Sequence, residues 1–280
     1  MLRRIFVLLF LYVGGLTLAV AQKTVPLSVR TPVPNRNLSS LLKFSQWNAL
    51  FPHRNKIYTY KAFLQAASYF PEFLADKNAD VRKRELAAFL ANIAQETSGG
   101  WAEAPGGYFK WGLYYVEEQR DSTMNPYTDV SKKMYPPVGG RSYHGRGPKQ
   151  LSWNYNYGQF SEAWFGSKDT LLNHPELVAE DPVLCFASAI WFWMTPQFPK
   201  PSCHEIMTGR WLPTENDKSK GRIPGFGATV NVINGGLECG KGSDLPKTVD
   251  RYAYYRFFCN YFRVDPGVNI ECTNQIPFGM

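Results

Sequence analysis

A chain of 280 residues, 44% hydrophobic and 15% aromatic, is long enough to bury a substantial core without metals or a dense disulfide framework. Its formal charge of +8 is spread along the sequence with no Lys/Arg run, which argues against a basic nucleic-acid face. The five cysteines, Cys185, Cys203, Cys239, Cys259 and Cys272, form no CxxC pair; this argues against zinc and leaves an odd thiol if the protein is exported.

The N-terminus carries Arg3 and Arg4, an apolar run over 5–18 and Ala19-Val20-Ala21, the charge, core and small-residue pattern of a cleaved secretory signal over 1–21. A membrane anchor is the competing reading, but the run is short of the roughly 20 residues that span hydrocarbon and holds Gly14-Gly15. Residues 22–40 are largely polar, with Pro26, Pro32 and Pro34, and read as a tail or linker; a single domain is expected over 41–280.

Within it, Phe63, Ala66, Ala67 and Phe70 have helical spacing and predict a helix over 58–73. Leu86, Phe89, Leu90 and Ile93 predict a second over 82–95, stopped by Gly99-Gly100. Residues 121–147 and 213–227, rich in Pro, Gly, Asn and Ser, read as long surface loops, which inside a compact domain are more often functional than idle. Residues 183–194 and 250–262, apolar and aromatic, suit buried helices. Period-2 alternation is scarce, so the expected architecture is mainly α with irregular connections.

Glu96 follows Ile93 by three positions, so its carboxylate projects from an apolar face where a helix ends. Partial desolvation there raises a carboxyl pKa, as a general acid requires, although a capping or salt-bridged glutamate has the same sequence appearance. Thr97, Ser98 and Trp101 beside it offer hydroxyls and a flat ring, and Glu117 and Glu118 follow a run of aromatic residues. Two carboxyls on separate segments facing one cleft are the minimum apparatus for glycosidic hydrolysis. Trp101 and Trp111 fit a cleft or a core equally well.

Six runs make a resemblance specific: 96–101 (ETSGGW), 104–112 (APGGYFKWG), 145–158 (GRGPKQLSWNYNYG), 189–195 (AIWFWMT), 221–227 (GRIPGFG) and 231–240 (NVINGGLECG). In kind and order they resemble the motifs of family 19 glycoside hydrolases, the plant-type chitinases. The resemblance implies a bilobed, lysozyme-like α-helical fold with a central cleft. It implies cleavage of β-1,4 linkages between N-acetylglucosamine units with inversion, Glu96 as proton donor and Glu118 as base, Glu117 being the neighbour that a one-residue slip would select. Ser152 matches the hydroxyl that holds the attacking water; Gln150, Tyr155, Asn156, Lys200 and Asn234 match sugar-binding positions. Glu238 and Arg251 match a charged pair near the donor, and Cys239 and Cys272 match a C-terminal disulfide. Gln95 stands where many members have His, and Tyr135 stands in a cleft position often held by Trp.

These expectations amount to a secreted, endo-acting, monomeric enzyme acting on chitin or chito-oligosaccharides without metal or organic cofactor, binding no nucleic acid and no membrane after signal cleavage. Murein hydrolysis, a lectin-like chitin binder without turnover, and a defence protein acting through its basic surface are the competing readings.

Overall fold

The computed structural model describes residues 25–120, 124–242 and 245–279. The expected signal over 1–21 lies outside them.

Residues 25–40 do not trail from the domain as a polar tail. A 3-10 turn, Leu27–Val29, buries Leu27, and Ser28 Oγ donates to the Trp164 carbonyl at 2.6 Å. Helix α1 (Arg36–Leu41) is capped by Asn35, whose side chain accepts from the Leu38 amide, and Leu38 is buried. The Asn35 and Asn37 side-chain amides donate to the Phe73 and Leu74 carbonyls at 2.7 and 2.9 Å. Sparse apolar residues suffice here because side-chain amides satisfy buried backbone oxygens that the segment covers.

Helix α2 (Phe44–Leu50) follows, then α3 (Tyr60–Ala67), where the Thr59 hydroxyl caps by accepting from the Ala62 amide. This helix is shorter than its apolar pattern suggests, and Phe70 and Phe73 reach the core from turns. Helix α4 (Ala79–Thr97) extends the expected span at both ends; Asn78 caps it, and Asp80 lies in its first turn. Leu86, Phe89, Leu90 and Ile93 are all buried, as their spacing requires.

Beyond α4 the chain runs to residue 153 with only a 3-10 turn at Tyr108–Lys110 among the described residues. Helices resume with α5 (Asn154–Phe165), α6 (Asp169–Asn173), α7 (Leu177–Glu180) and α8 (Pro182–Met194). The start of α8 combines Pro182 in the first turn with Asp181 accepting from the Val183 and Leu184 amides. Then come α9 (Cys203–Met207), α10 (Glu215–Ser219), α11 (Phe226–Glu238) and α12 (Pro246–Tyr261). Helix α10, with a Thr214/Asp217 capping box, occupies part of the second expected loop.

Helix α12 packs along α4, and α3 along α8. Aromatic rings fill the centre: Phe63 stacks on Phe89 at 5.8 Å, and Trp47 and Phe186 lie 5.4 and 5.1 Å from Phe63. Each such fully buried ring contributes about 1.5–3 kcal/mol of transfer free energy. A disulfide joins Cys239, at the end of α11, to Cys272, while Cys185, Cys203 and Cys259 are buried thiols. Among the described residues there is no β-strand, and no helix is long and apolar enough to cross a membrane.

Candidate active site

Glu96 sits one residue from the end of α4, on the face that meets α12. Gly99, at φ +72°, turns the chain away from the helix axis. The Thr97 hydroxyl then works in two directions, donating to the Ile93 carbonyl at 2.7 Å and accepting from the Leu113 amide at 2.7 Å. The Tyr115 amide donates to the Thr97 carbonyl at 2.9 Å, and the Ser98 hydroxyl donates to the Trp111 carbonyl. The two hydroxyls beside Glu96 are therefore committed to holding residues 111–115 against the end of α4.

That strap delivers Glu118. Its amide donates to the Gly145 carbonyl at 2.9 Å, within a short antiparallel ladder in which Glu117 bridges Arg146 and Arg146 bridges Leu151. The ladder places Glu118, Gln150 and Ser152 on adjoining segments. A Cβ at Gly145 would stand 2.7 Å from Gln150 Oε1, so a larger residue there would displace the Gln150 side chain from its place in the cleft. The neighbouring glutamates diverge: Glu118 Oε1 accepts from the Tyr127 hydroxyl at 2.8 Å, whereas Glu117 Oε2 lies 2.9 Å from His144 Nε2 and 3.3 Å from Arg146 Nε.

Glu96 and Glu118 line one cavity of about 550 Å³, together with Gln150, Ser152, Tyr155, Asn156, Lys200 and Asn234. Eight of the nine residues singled out for donor, base, water-holding and sugar-binding roles are thus brought together; Tyr135 is the exception. Tyr135 lies in an adjoining cavity of about 540 Å³ that shares Tyr155 and Lys200, with its hydroxyl donating to Glu162 at 2.8 Å. A cavity of about 750 Å³ shares Glu118 with the central one. Helix α11 kinks at Asn234, which leaves helical geometry at φ −142° and points its amide to Glu238 Oε1 at 2.8 Å. Asn156 and Gln197 line the central cavity, while Asn156 Oδ1 and Gln197 Nε2 are themselves buried, with no partner among the described residues.

A buried charge cluster stands behind Glu96. Arg251, 2% exposed, donates to Glu238 through Nε and Nη2 at 3.0 and 2.6 Å, to Asn92 Oδ1 at 2.9 Å and to Glu96 Oε1 at 2.9 Å. Lys149 Nζ lies 3.4 Å from the same Glu96 oxygen. Burial by itself raises the Glu96 pKa, but Lys149 and Arg251 outweigh it and hold the carboxyl below its ordinary value. The expectation of a raised pKa from desolvation is therefore corrected: two cations decide the sign.

Trp101 and Trp111 belong neither to the core nor to the central cavity. Trp101 is 42% exposed and lies 5.1 Å from Trp111, which stacks on His53 at 4.2 Å and continues through Tyr114 to Tyr115. Tyr115 reaches a cavity of about 450 Å³ shared with Glu96, Glu118, Glu238 and Arg251. Sequence reasoning missed Lys149, Tyr127 and Gln197. Lys149 lay inside a run already singled out, as a lysine beside Gln150, and that adjacency was the available signal. Among the described residues no group of three or more His, Cys, Asp or Glu is placed to hold a metal ion.

Comparison with known proteins identifies the family. The chain is 48% identical over 249 residues to an endochitinase of Carica papaya, covering 86% of this chain and all of that one. It is 48% identical over 253 residues to inactive chitinase-like protein 1 of Hevea brasiliensis, covering 87% and 78% of the two chains. The crystal structure of chitinase C from Streptomyces griseus superposes with a TM-score of 0.66 at 33% identity, over 83% of this chain and 80% of that one. The pattern of glycoside hydrolase family 19, described as chitinase class I, matches residues 33–272. With its mainly helical, lysozyme-like fold and its paired glutamates on one cleft, the chain belongs to the family 19 glycoside hydrolases, the class I chitinases.

Proposed function

We propose that the protein is a secreted, endo-acting chitinase that hydrolyses β-1,4 N-acetylglucosamine linkages with inversion at the anomeric carbon. The observation that carries this reading is the meeting of Glu96 and Glu118, from separate segments, on one cavity lined by amides, hydroxyls and an ammonium. Glu96, protonated, gives its proton to the glycosidic oxygen as the C–O bond breaks. Glu118 takes a proton from a water that Ser152 helps to orient, and the water oxygen bonds to the anomeric carbon from the opposite face. The Tyr127 hydroxyl, donating to Glu118 Oε1 at 2.8 Å, restrains the rotation of that carboxylate.

The acetamido group offers one N–H and one C=O. Asn156, Gln197 and Asn234 line the cavity with side-chain amides, each of a type that offers both a donor and an acceptor to such a group. Two further cavities, one sharing Glu118 with the central cavity and one sharing Tyr155, Gln197 and Lys200, extend the cleft and support cleavage inside a longer chain. Export rests on the leader pattern over 1–21.

The test is hydrolysis of an N-acetylglucosamine hexamer by wild type, Glu96→Gln and Glu118→Gln, with the anomer of the first products followed by NMR. The expected result is initial α-anomer and a loss of about 10²–10⁴ in each variant. Initial β-anomer would reject inversion. A folded wild type that binds the hexamer without turnover would reject the enzyme reading and leave a chitin-binding protein.

A further inference from the structure

Lys149 is 7% exposed, and burying an ammonium is costly unless a partner offsets the lost hydration. Its Nζ reaches Glu96 Oε1 at 3.4 Å and lies 5.0 Å from the centre of the Phe192 ring on α8. Arg251 from α12 contacts the same Glu96 oxygen but divides its donors among Glu96, Glu238 of α11 and Asn92. Lys149 makes no such division: among the described residues Glu96 is the carboxylate it meets. The other charged or titratable groups acting on Lys149 are Arg251, Lys200 and the Cys203 thiol of α9; Glu117, Glu118, Lys247 and Asp250 line the cavity next to Glu96.

We propose that Lys149 is a positioning residue for the proton donor: its ammonium pins the Glu96 carboxylate at the cleft and sets, with Arg251, the pH range over which Glu96 can give up a proton. The inference rests on the reading of Glu96 as donor. As the proton leaves for the glycosidic oxygen, Glu96 becomes an anion, and a cation already in place stabilises that anion without reorganisation. The same cation stabilises the resting carboxylate, so the enzyme gains a stronger acid and loses protonated donor as pH rises. Burial lowers the Lys149 pKa, and among its neighbours Glu96 works against that effect most strongly.

The experiment is a pH profile of kcat/KM on the hexamer for wild type, Lys149→Met and Lys149→Arg. With the cation gone, the alkaline limb is expected to move up by about one pH unit, the size of effect a close charge exerts on a carboxyl. One unit along that limb the variant then retains roughly tenfold more of its own plateau rate than wild type does of its own. The plateau itself falls, since a weaker acid transfers its proton more slowly. Lys149→Arg, which keeps the charge, returns the limb toward wild type. Should Lys149→Met fail to fold, Lys149→Gln carries the same expectation. A lower plateau on an unmoved limb means a merely structural lysine and overturns the inference while leaving the function intact. Turnover that survives Glu96→Gln overturns the donor reading and this inference with it.

Discussion

Replacing Arg251 by Leu tests the charge cluster that organises the cleft. The guanidinium is 2% exposed and makes four hydrogen bonds, two to Glu238, one to Asn92 and one to Glu96. Its removal leaves Glu238, 3% exposed, as a buried carboxylate without its cation, while Glu96 keeps Lys149. Breaking a buried ion pair from one side costs about 3–5 kcal/mol, whereas replacing both partners by apolar groups is often near neutral. At about 2–4 °C per kcal/mol for a domain of this size, Arg251→Leu should lower Tm by roughly 6–20 °C. The double variant Arg251→Leu/Glu238→Leu should recover most of that loss. Urea titrations of wild type, both single variants and the double variant close the cycle. A single-variant loss under about 1 kcal/mol would mean the pair behaves like a surface salt bridge. Additive losses in the double variant would show that Arg251 and Glu238 act independently, and would refute the reasoning.

Removing the Cys239–Cys272 bridge as a double Ser variant should cost about 3–4 kcal/mol on chain-entropy grounds for a separation of 33 residues, read as a fall in the urea midpoint with unchanged activity at 25 °C. Tyr127→Phe removes the hydroxyl that donates to Glu118 and should lower kcat by about tenfold with little change in Tm; equal loss through KM would place Tyr127 in binding instead. Glu117→Gln should keep kcat within about tenfold of wild type, because that carboxylate is tied to His144 and Arg146, while Glu118→Gln loses at least about a hundredfold; the reverse order would move the base by one residue. The lowered pKa of Glu96 gives stability that is complete above the unfolded carboxylate range and is lost as pH falls through the folded value. Glu96→Gln should therefore flatten the acid side of the Tm-versus-pH curve, and an unchanged slope would remove this linkage.

What could be read in the sequence follows from how locally each feature is encoded. Helix α4 was legible because Leu86, Phe89, Leu90 and Ile93 share one face, and burial of that face is the dominant local demand. The cleft residues were legible through motifs, and they do converge on one cavity. Residues 25–40 misled because their attachment depends on side-chain amides finding carbonyls at Phe73 and Leu74, contacts that leave no apolar periodicity. Lys149 and Tyr127 were missed for a related reason. Both sit in the long segment between α4 and α5, where no helical or strand period says which side chains face inward. The sign of the Glu96 shift depended on Lys149, so burial alone pointed the wrong way.

Hydrolysis by single displacement requires the donor, the water and the base to keep their places together, and a small error in position costs rate steeply. The two carboxyls here are held by different physical means. Glu96 rides on a long buried helix and is fixed by charge, through Arg251 and Lys149. Glu118 has no helix beneath it and is fixed by backbone pairing to Gly145 within the ladder that also carries Gln150 and Ser152. Thr97 joins the two systems, since its carbonyl and hydroxyl both grip residues 113–115 from the position next to Glu96. The separation of Glu96 and Glu118 is thus set within a few residues of one helix end. This explains how a segment with so little regular structure can hold Glu118 in a fixed place: its register is inherited from α4, one of the most deeply buried elements in the molecule.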